Sequence, residues 1–223
     1  LNGQIVTVRV TNASGCSALS SGITMTVNPT PVANIVSNDA DNTICAGSSV
    51  SFTATPSGAT NYNFRVNGVS VQSSPSNLYT TTTLADNDIV DVIVTSTAGC
   101  IGTSTGIVMN VDVAPNAADA GIDIIQCNNG TFAMTANAAV AGTTGTWSIV
   151  SGSATITSLN LPNTTITGVV AGSGDVVLKW TISNGVCTST SDDILLRNDA
   201  SPTLSDAGVD KIICGSSVSL SGN

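Results

Sequence analysis

Apolar residues along this chain recur at every second position, in short runs that stop at turn-forming residues. Val6, Val8 and Val10 share one side of an extended segment while Thr7 and Arg9 take the other, the period of a β-strand with one face buried. Val50 and Phe52, Phe132 and Met134, and Val176, Leu178 and Trp180 follow the same rule. Between the runs stand Pro56-Ser57-Gly58, Asn67-Gly68, Asp86-Asn87-Asp88 and Asn184-Gly185. These residues fix φ, accept positive φ or bond back to their own backbone, and so make turns. No useful length of chain has helical spacing. Short strands with turn signals roughly every 8–12 residues predict an all-β protein of Greek-key β-sandwiches, with Trp147 and Trp180 in a core.

The pattern is itself repeated. Moving residues 1–31 onto 85–115, without a gap, superposes thirteen identical residues, among them Val6/Val90, Val8/Val92, Val10/Val94, Gly15/Gly99, Cys16/Cys100, Gly22/Gly106 and Met25/Met109. Thr43-Ile44-Cys45-Ala46-Gly47-Ser48-Ser49-Val50-Ser51 recurs in part as Ile212-Ile213-Cys214-Gly215-Ser216-Ser217-Val218-Ser219. Asp119-Ala120-Gly121-Ile122-Asp123 recurs as Asp206-Ala207-Gly208-Val209-Asp210, 87 residues on. A period of 84–87 residues is too long for a solenoid turn and fits whole domains in tandem. The expected organisation is the C-terminal strands of a truncated repeat at 1–30, complete repeats at 31–114 and 115–201, and the N-terminal strands of another at 202–223, an excerpt of a longer protein.

Composition narrows the chemistry. There is no histidine, and all fourteen acidic residues are Asp, so neither His-based acid–base catalysis nor a Ser-His-Asp or Cys-His nucleophile can be built within the chain. Asp192 and Asp193 are adjacent and in a strand would face opposite sides, which is wrong for a catalytic carboxylate pair. The expectation is a protein that is not an enzyme. Five basic residues and a formal charge of −9 also exclude nucleic acid as a partner, which needs a basic footprint. Only 9% of residues are charged, against about 25% ordinarily, but 41% are hydrophobic, too many for disorder. No apolar run approaches the roughly 20 residues of a membrane span.

The six cysteines follow the repeat, one near the start of each complete unit and one shortly before its last strand, and no C-x-x-C occurs. Zinc and redox motifs are therefore not indicated, and cysteine pairs in such a chain point to an oxidising, extracellular setting. The pairing that gives every unit the same bond is Cys45–Cys100 and Cys127–Cys187, with Cys16 and Cys214 unpaired within these residues; the alternative is six free thiols. Each such bond would contribute about 4 kcal/mol in the chain-entropy treatment.

Asp119-Ala120-Gly121-Ile122-Asp123 leading to Cys127, then Gly145-Thr146-Trp147-Ser148, Val150-Ser151-Gly152 and Trp180-Thr181-Ile182-Ser183-Asn184-Gly185-Val186-Cys187, resemble the PKD-like and Ig-like repeats of very large Bacteroidetes surface adhesins, the SprB-like gliding-motility adhesins among them. Residues 31–114 lack the Trp and the Asp-Ala-Gly-x-Asp start and resemble the Ig-like subtype, whereas 115–201 resemble the PKD-like one. The resemblance implies tandem Ig-like/PKD-like sandwiches, export by the type IX system, a cell-surface location, and a stalk or filament segment that projects a binding tip. Its partners would be neighbouring repeats, with surface polysaccharide or other cell-surface proteins beyond them.

Aspartates gather where repeats meet: Asp39 and Asp41, Asp119 and Asp123, Asp206 and Asp210. Oxygen-rich junctions can hold Ca²⁺ and stiffen an array; the alternative is solvated turns. No other cofactor is expected. The competing function is a glycan- or protein-binding module acting through sandwich-end loops. Differing loops, Ala59-Thr60-Asn61-Tyr62 against Ala141-Gly142-Thr143-Thr144, on a matching framework favour the spacer.

Overall fold

The computed structural model describes residues 2–223, and every helix or strand among them is a strand. The chain divides into two compact units: residues up to Ala114 together with Gly185–Cys187, and Pro115–Asn184 together with Thr188–Asn223.

In the first unit one sheet places Val50–Thr55 between Asn34–Ser37 and Leu78–Thr81, all antiparallel. The facing sheet runs Ile101–Thr103, Ile89–Thr95, Asn61–Val66, Val69–Ser74, with Ile107–Val108 also on Ile89–Thr95. The chain crosses between the sheets after Val50–Thr55, returns at Leu78–Thr81 and crosses again to Ile89–Thr95, the non-sequential order of a Greek key. Alternation decides what lies inside. Val50, Phe52 and Ala54 from one sheet meet Tyr62, Phe64, Val90, Val92 and Val94 from the other, all buried in one core. Tyr79 stacks on Phe64 at 5.5 Å and on Phe52 at 6.2 Å. The Tyr62 hydroxyl donates to Pro56 O at 2.7 Å, so burial leaves it satisfied. Arg65 and Asp91 stand opposite each other and form two hydrogen bonds of 2.7 and 2.8 Å, which push the guanidinium pKa up further.

Residues 3–25 repeat the folding of 87–109 bond by bond. Gly3 N–H donates to Met25 O and Met25 N–H to Gln4 O, as Asn87 N–H does to Met109 O and Met109 N–H to Asp88 O. The Ser20 hydroxyl accepts Val8 N–H at 2.9 Å and the Ser104 hydroxyl accepts Val92 N–H at 3.1 Å. Both segments need a glycine at one close approach: a Cβ on Gly22 would lie 2.3 Å from Ile5 Cγ2, and one on Gly106 2.4 Å from Ile89 Cγ2. Val6, Val8 and Val10 are exposed, unlike their counterparts Val90, Val92 and Val94.

In the second unit one sheet has the order Ile124–Cys127, Cys187–Asp199, Asp175–Asn184, Thr144–Ser151, and the other Phe132–Ala133, Thr165–Thr167, Thr155–Ile156. Trp147 and Trp180 pair directly across antiparallel strands with ring centroids 5.1 Å apart. Both are buried with Phe132, Met134, Leu178, Ile182 and Leu196, and their indole N–H groups donate to Leu161 O and Asn137 O, each at 3.1 Å. Asn198 is a buried polar exception at 3% exposure. Its side-chain NH₂ donates to Val169 O at 2.8 Å and its carbonyl accepts Asn129 N–H at 3.1 Å. Asn198→Ala would strand those groups, so a loss of about 1–3 kcal/mol is expected, read from the urea midpoint; an unchanged midpoint would mean that the two bonds contribute nothing net. On the exposed side Arg197 binds Asp175 through two contacts of 2.6 and 3.0 Å, holding that carboxyl below its usual range.

Candidate functional site

The cysteine-bearing edge of the first unit is built from a short parallel pair. Thr43–Cys45 runs alongside Asn110–Asp112, with Cys45 opposite Asp112, and Ala46 N–H donates to Asp112 O at 2.9 Å. The Asp112 carboxylate accepts Val186 N–H at 3.4 Å. Gly185 makes room for that carboxylate, because a Cβ there would come within 2.1 Å of its oxygen. Cys187 follows and forms a disulfide with Cys45, their Cα atoms 5.0 Å apart. A groove of about 230 Å³ beside the bond is lined by Asp39, Thr43, Ile44, Cys45, Ser48, Ser49 and Val186. It offers one carboxylate, that of Asp39, and the hydroxyls of Thr43, Ser48 and Ser49.

This disulfide corrects the expected pairings. Cys45 is not bonded to Cys100, nor Cys127 to Cys187; Cys16, Cys100, Cys127 and Cys214 are free thiols. The reason is strand length. Cys100 follows the C-terminal end of Ile89–Thr95, whereas Cys45 lies beyond its N-terminal end, near Asp112. At about 3.3 Å per residue that strand alone separates them by roughly 20 Å, against the roughly 4.4–6.8 Å between Cα atoms that a disulfide spans. Cys127 stands opposite Asp199, the last residue of the strand whose first residue is Cys187, about 40 Å away along it.

Five of the six junction carboxylates accept backbone N–H groups. Asp39 and Asp41 both accept Thr43 N–H, at 3.1 and 3.0 Å. Asp119 accepts Gly121 N–H at 2.9 Å and Asp206 accepts Gly208 N–H at 2.8 Å. Asp123 accepts Leu195 N–H at 2.9 Å, while Asp210 is exposed. Among the described residues no three His, Cys, Asp or Glu side chains are grouped to hold a metal ion. Melting curves in millimolar CaCl₂ and in EDTA are therefore expected to coincide; a rise in Tm with calcium would assign these oxygens to a cation. Asp192 and Asp193 do face apart: Asp192 accepts Ala120 N–H at 2.8 Å, and Asp193 pairs with Lys179 at 3.3 Å.

Sequence reasoning missed Asp112, Gly185 and Val186. Asn28 is the counterpart of Asp112 in the 84-residue repeat but differs from it, so the repeat carried no signal for a carboxylate at that position.

No protein-family model matches the chain, and no curated protein matches it. Solved structures do. The extracellular domains 3–5 of Drosophila OTK share 14% identity at a TM-score of 0.49, over 86% of this chain and 70% of that one. Sidekick-1 immunoglobulin domains 1–4 share 16% at 0.45, over 90% and 59%. The fibronectin(III)-like modules of Clostridium thermocellum CbhA share 13% at 0.37, over 76% and 95%. Identities this low concern the fold alone. The strand order and the two buried cores themselves make the chain an all-β protein of sandwich architecture.

Proposed function

We propose that the chain is a stalk or filament segment of a large, repetitive extracellular adhesin, a spacer that carries a binding tip away from the cell. The observation that supports this most is the bond-by-bond recurrence of residues 3–25 in 87–109. What recurs is framework: the hairpin, the Ser hydroxyl bond and the close-packed glycine. A spacer repeats its framework, whereas a repeated binding module would repeat its loops. The disulfide fits an oxidising compartment outside the cytoplasm. The basic side chains Arg65, Lys179 and Arg197 are each paired with an Asp, which leaves little positive surface for a polyanion. The resemblance to gliding-motility adhesins of Bacteroidetes adds type IX export and surface attachment to the reading, with adjoining repeats as the immediate partners.

A glycan-array screen of the 1–223 chain tests it. No saturable signal is expected. A saturable hit, lost when residues of the sandwich-end loops are exchanged, would overturn the spacer in favour of a glycan-binding module.

A further inference from the structure

We propose that Cys45–Cys187 is one link in a series, in which the strand-end cysteine of each repeat is bonded to the hairpin cysteine of the repeat that follows. The inference concerns covalent connectivity and stands apart from the spacer reading.

The cysteines are of two kinds. Cys16 and Cys100 occupy the same hairpin turn: Asn12 N–H donates to Cys16 O and Ser96 N–H to Cys100 O, both at 2.9 Å. Cys16 N–H donates to Asn12 Oδ1, and Cys100 N–H to Ser96 Oγ. Cys187 follows the corresponding turn, 87 residues after Cys100. The other kind ends a parallel strand. Cys45 stands opposite Asp112, and the next residue, Ala46, donates its N–H to Asp112 O at 2.9 Å. Cys127 stands opposite Asp199, and the next residue, Asn128, donates to Asp199 O at 2.9 Å. Cys214, between Ile213 and Gly215-Ser216-Ser217-Val218, stands in surroundings like those of Cys45, between Ile44 and Ala46-Gly47-Ser48-Ser49-Val50, with one residue fewer before the Ser-Ser-Val. The observed bond joins one cysteine of each kind.

Two of the free thiols, Cys100 and Cys127, already hold the positions this rule requires, by comparison with the bonded pair. Cys187 Sγ lies 3.7 Å from Asp112 O, and Cys100 Sγ lies 3.7 Å from Asn28 O. Asn28 precedes Asp112 by the 84-residue period. Cys100 thus sits against Asn28, in the segment that precedes its repeat, as Cys187 sits beside Asp112, where Cys45 is bonded. Cys127 is exposed at the register position that Cys45 holds. The rule therefore assigns Cys100 to the strand-end cysteine of the preceding repeat and Cys127 to the hairpin cysteine of the following one, both beyond residues 1–223. Each link forms when two thiols give up two protons and two electrons to a disulfide oxidant, which is reduced to two thiols.

Non-reducing peptide mapping after alkylation tests the rule on the chain as it stands and on an extension. In the 1–223 chain Cys45 should be recovered linked to Cys187, with Cys16, Cys100, Cys127 and Cys214 alkylated. In Cys187→Ser, Cys45 should be alkylated; a Cys45–Cys100 peptide would overturn the rule. In a chain of residues 1–201 followed by a second copy of 115–201, marked by Val186→Ile, Cys127 of the first copy should be linked to the marked hairpin peptide. Recovering Cys127 linked within its own copy, or alkylated while Cys45–Cys187 is intact, would overturn the series.

Discussion

Trp180→Ala should lower the stability of the second sandwich by about 3–5 kcal/mol, the range for emptying a buried aromatic site. The indole is 0% exposed and lies in the Asp175–Asn184 strand, between Cys187–Asp199 and Thr144–Ser151. It contacts Trp147, and its ring fills the space over Gly145 so closely that a Cβ there would fall 2.1 Å from Cζ2. No neighbour can collapse into the hole without moving a strand. The loss also strands Asn137 O, which accepts the indole N–H at 3.1 Å. Against a total of about 5–15 kcal/mol, such a loss leaves the sandwich marginal or unfolded. Urea titration followed by the fluorescence of the remaining Trp147 reads it. Trp180→Phe should cost less, since the ring is kept and only the N–H and part of the volume are lost; equal losses in the two variants would mean that packing is not what holds this site.

Replacing Cys45 and Cys187 together by serine should cost about 2–5 kcal/mol. The bond closes a separation of 142 residues, for which the chain-entropy treatment gives a contribution near the top of that range, about 5 kcal/mol. Changing both partners avoids leaving a lone thiol free to exchange. For a chain of this length each kcal/mol corresponds to roughly 2–4 °C in Tm, so calorimetry should show a fall of about 5–15 °C. The single variant Cys100→Ser should leave Tm within about 1–2 °C, on the scale of a surface change. A double variant that melts with the parent chain would mean that the bond does not constrain the unfolded state.

The sandwich architecture was legible because burial on one face forces a period of two. Val90, Val92 and Val94, or Val176, Leu178 and Trp180, have no other way to reach a common core. Both tryptophans were legible as core residues for the same reason. The loop comparison was less so: Asn61 and Tyr62 are strand residues, and the Tyr62 ring is buried, so this part of the apparent loop difference is a core difference. The cysteine pairing was not legible from symmetry within a unit. Equal bonds in every repeat can equally be bonds from each repeat to the next, and the choice depends on which ends of the strands the thiols occupy. Only the parallel register of Cys45 on Asp112 and Cys127 on Asp199 makes that choice. The hydrogen bonds that Asp119 and Asp206 accept from the N–H groups of Gly121 and Gly208 belong to an Asx-type turn, a local arrangement that composition does not reveal.

A load-carrying spacer closed by Cys45–Cys187 makes one direct mechanical claim: the chain between the two cysteines bears no tension while the bond is intact. Single-molecule extension of the 1–223 chain, held at its two ends in oxidising and then in reducing buffer, measures this. Reduction should add the contour of the 142-residue separation, roughly 500 Å at about 3.6 Å per residue. The same total extension in both buffers would contradict the account.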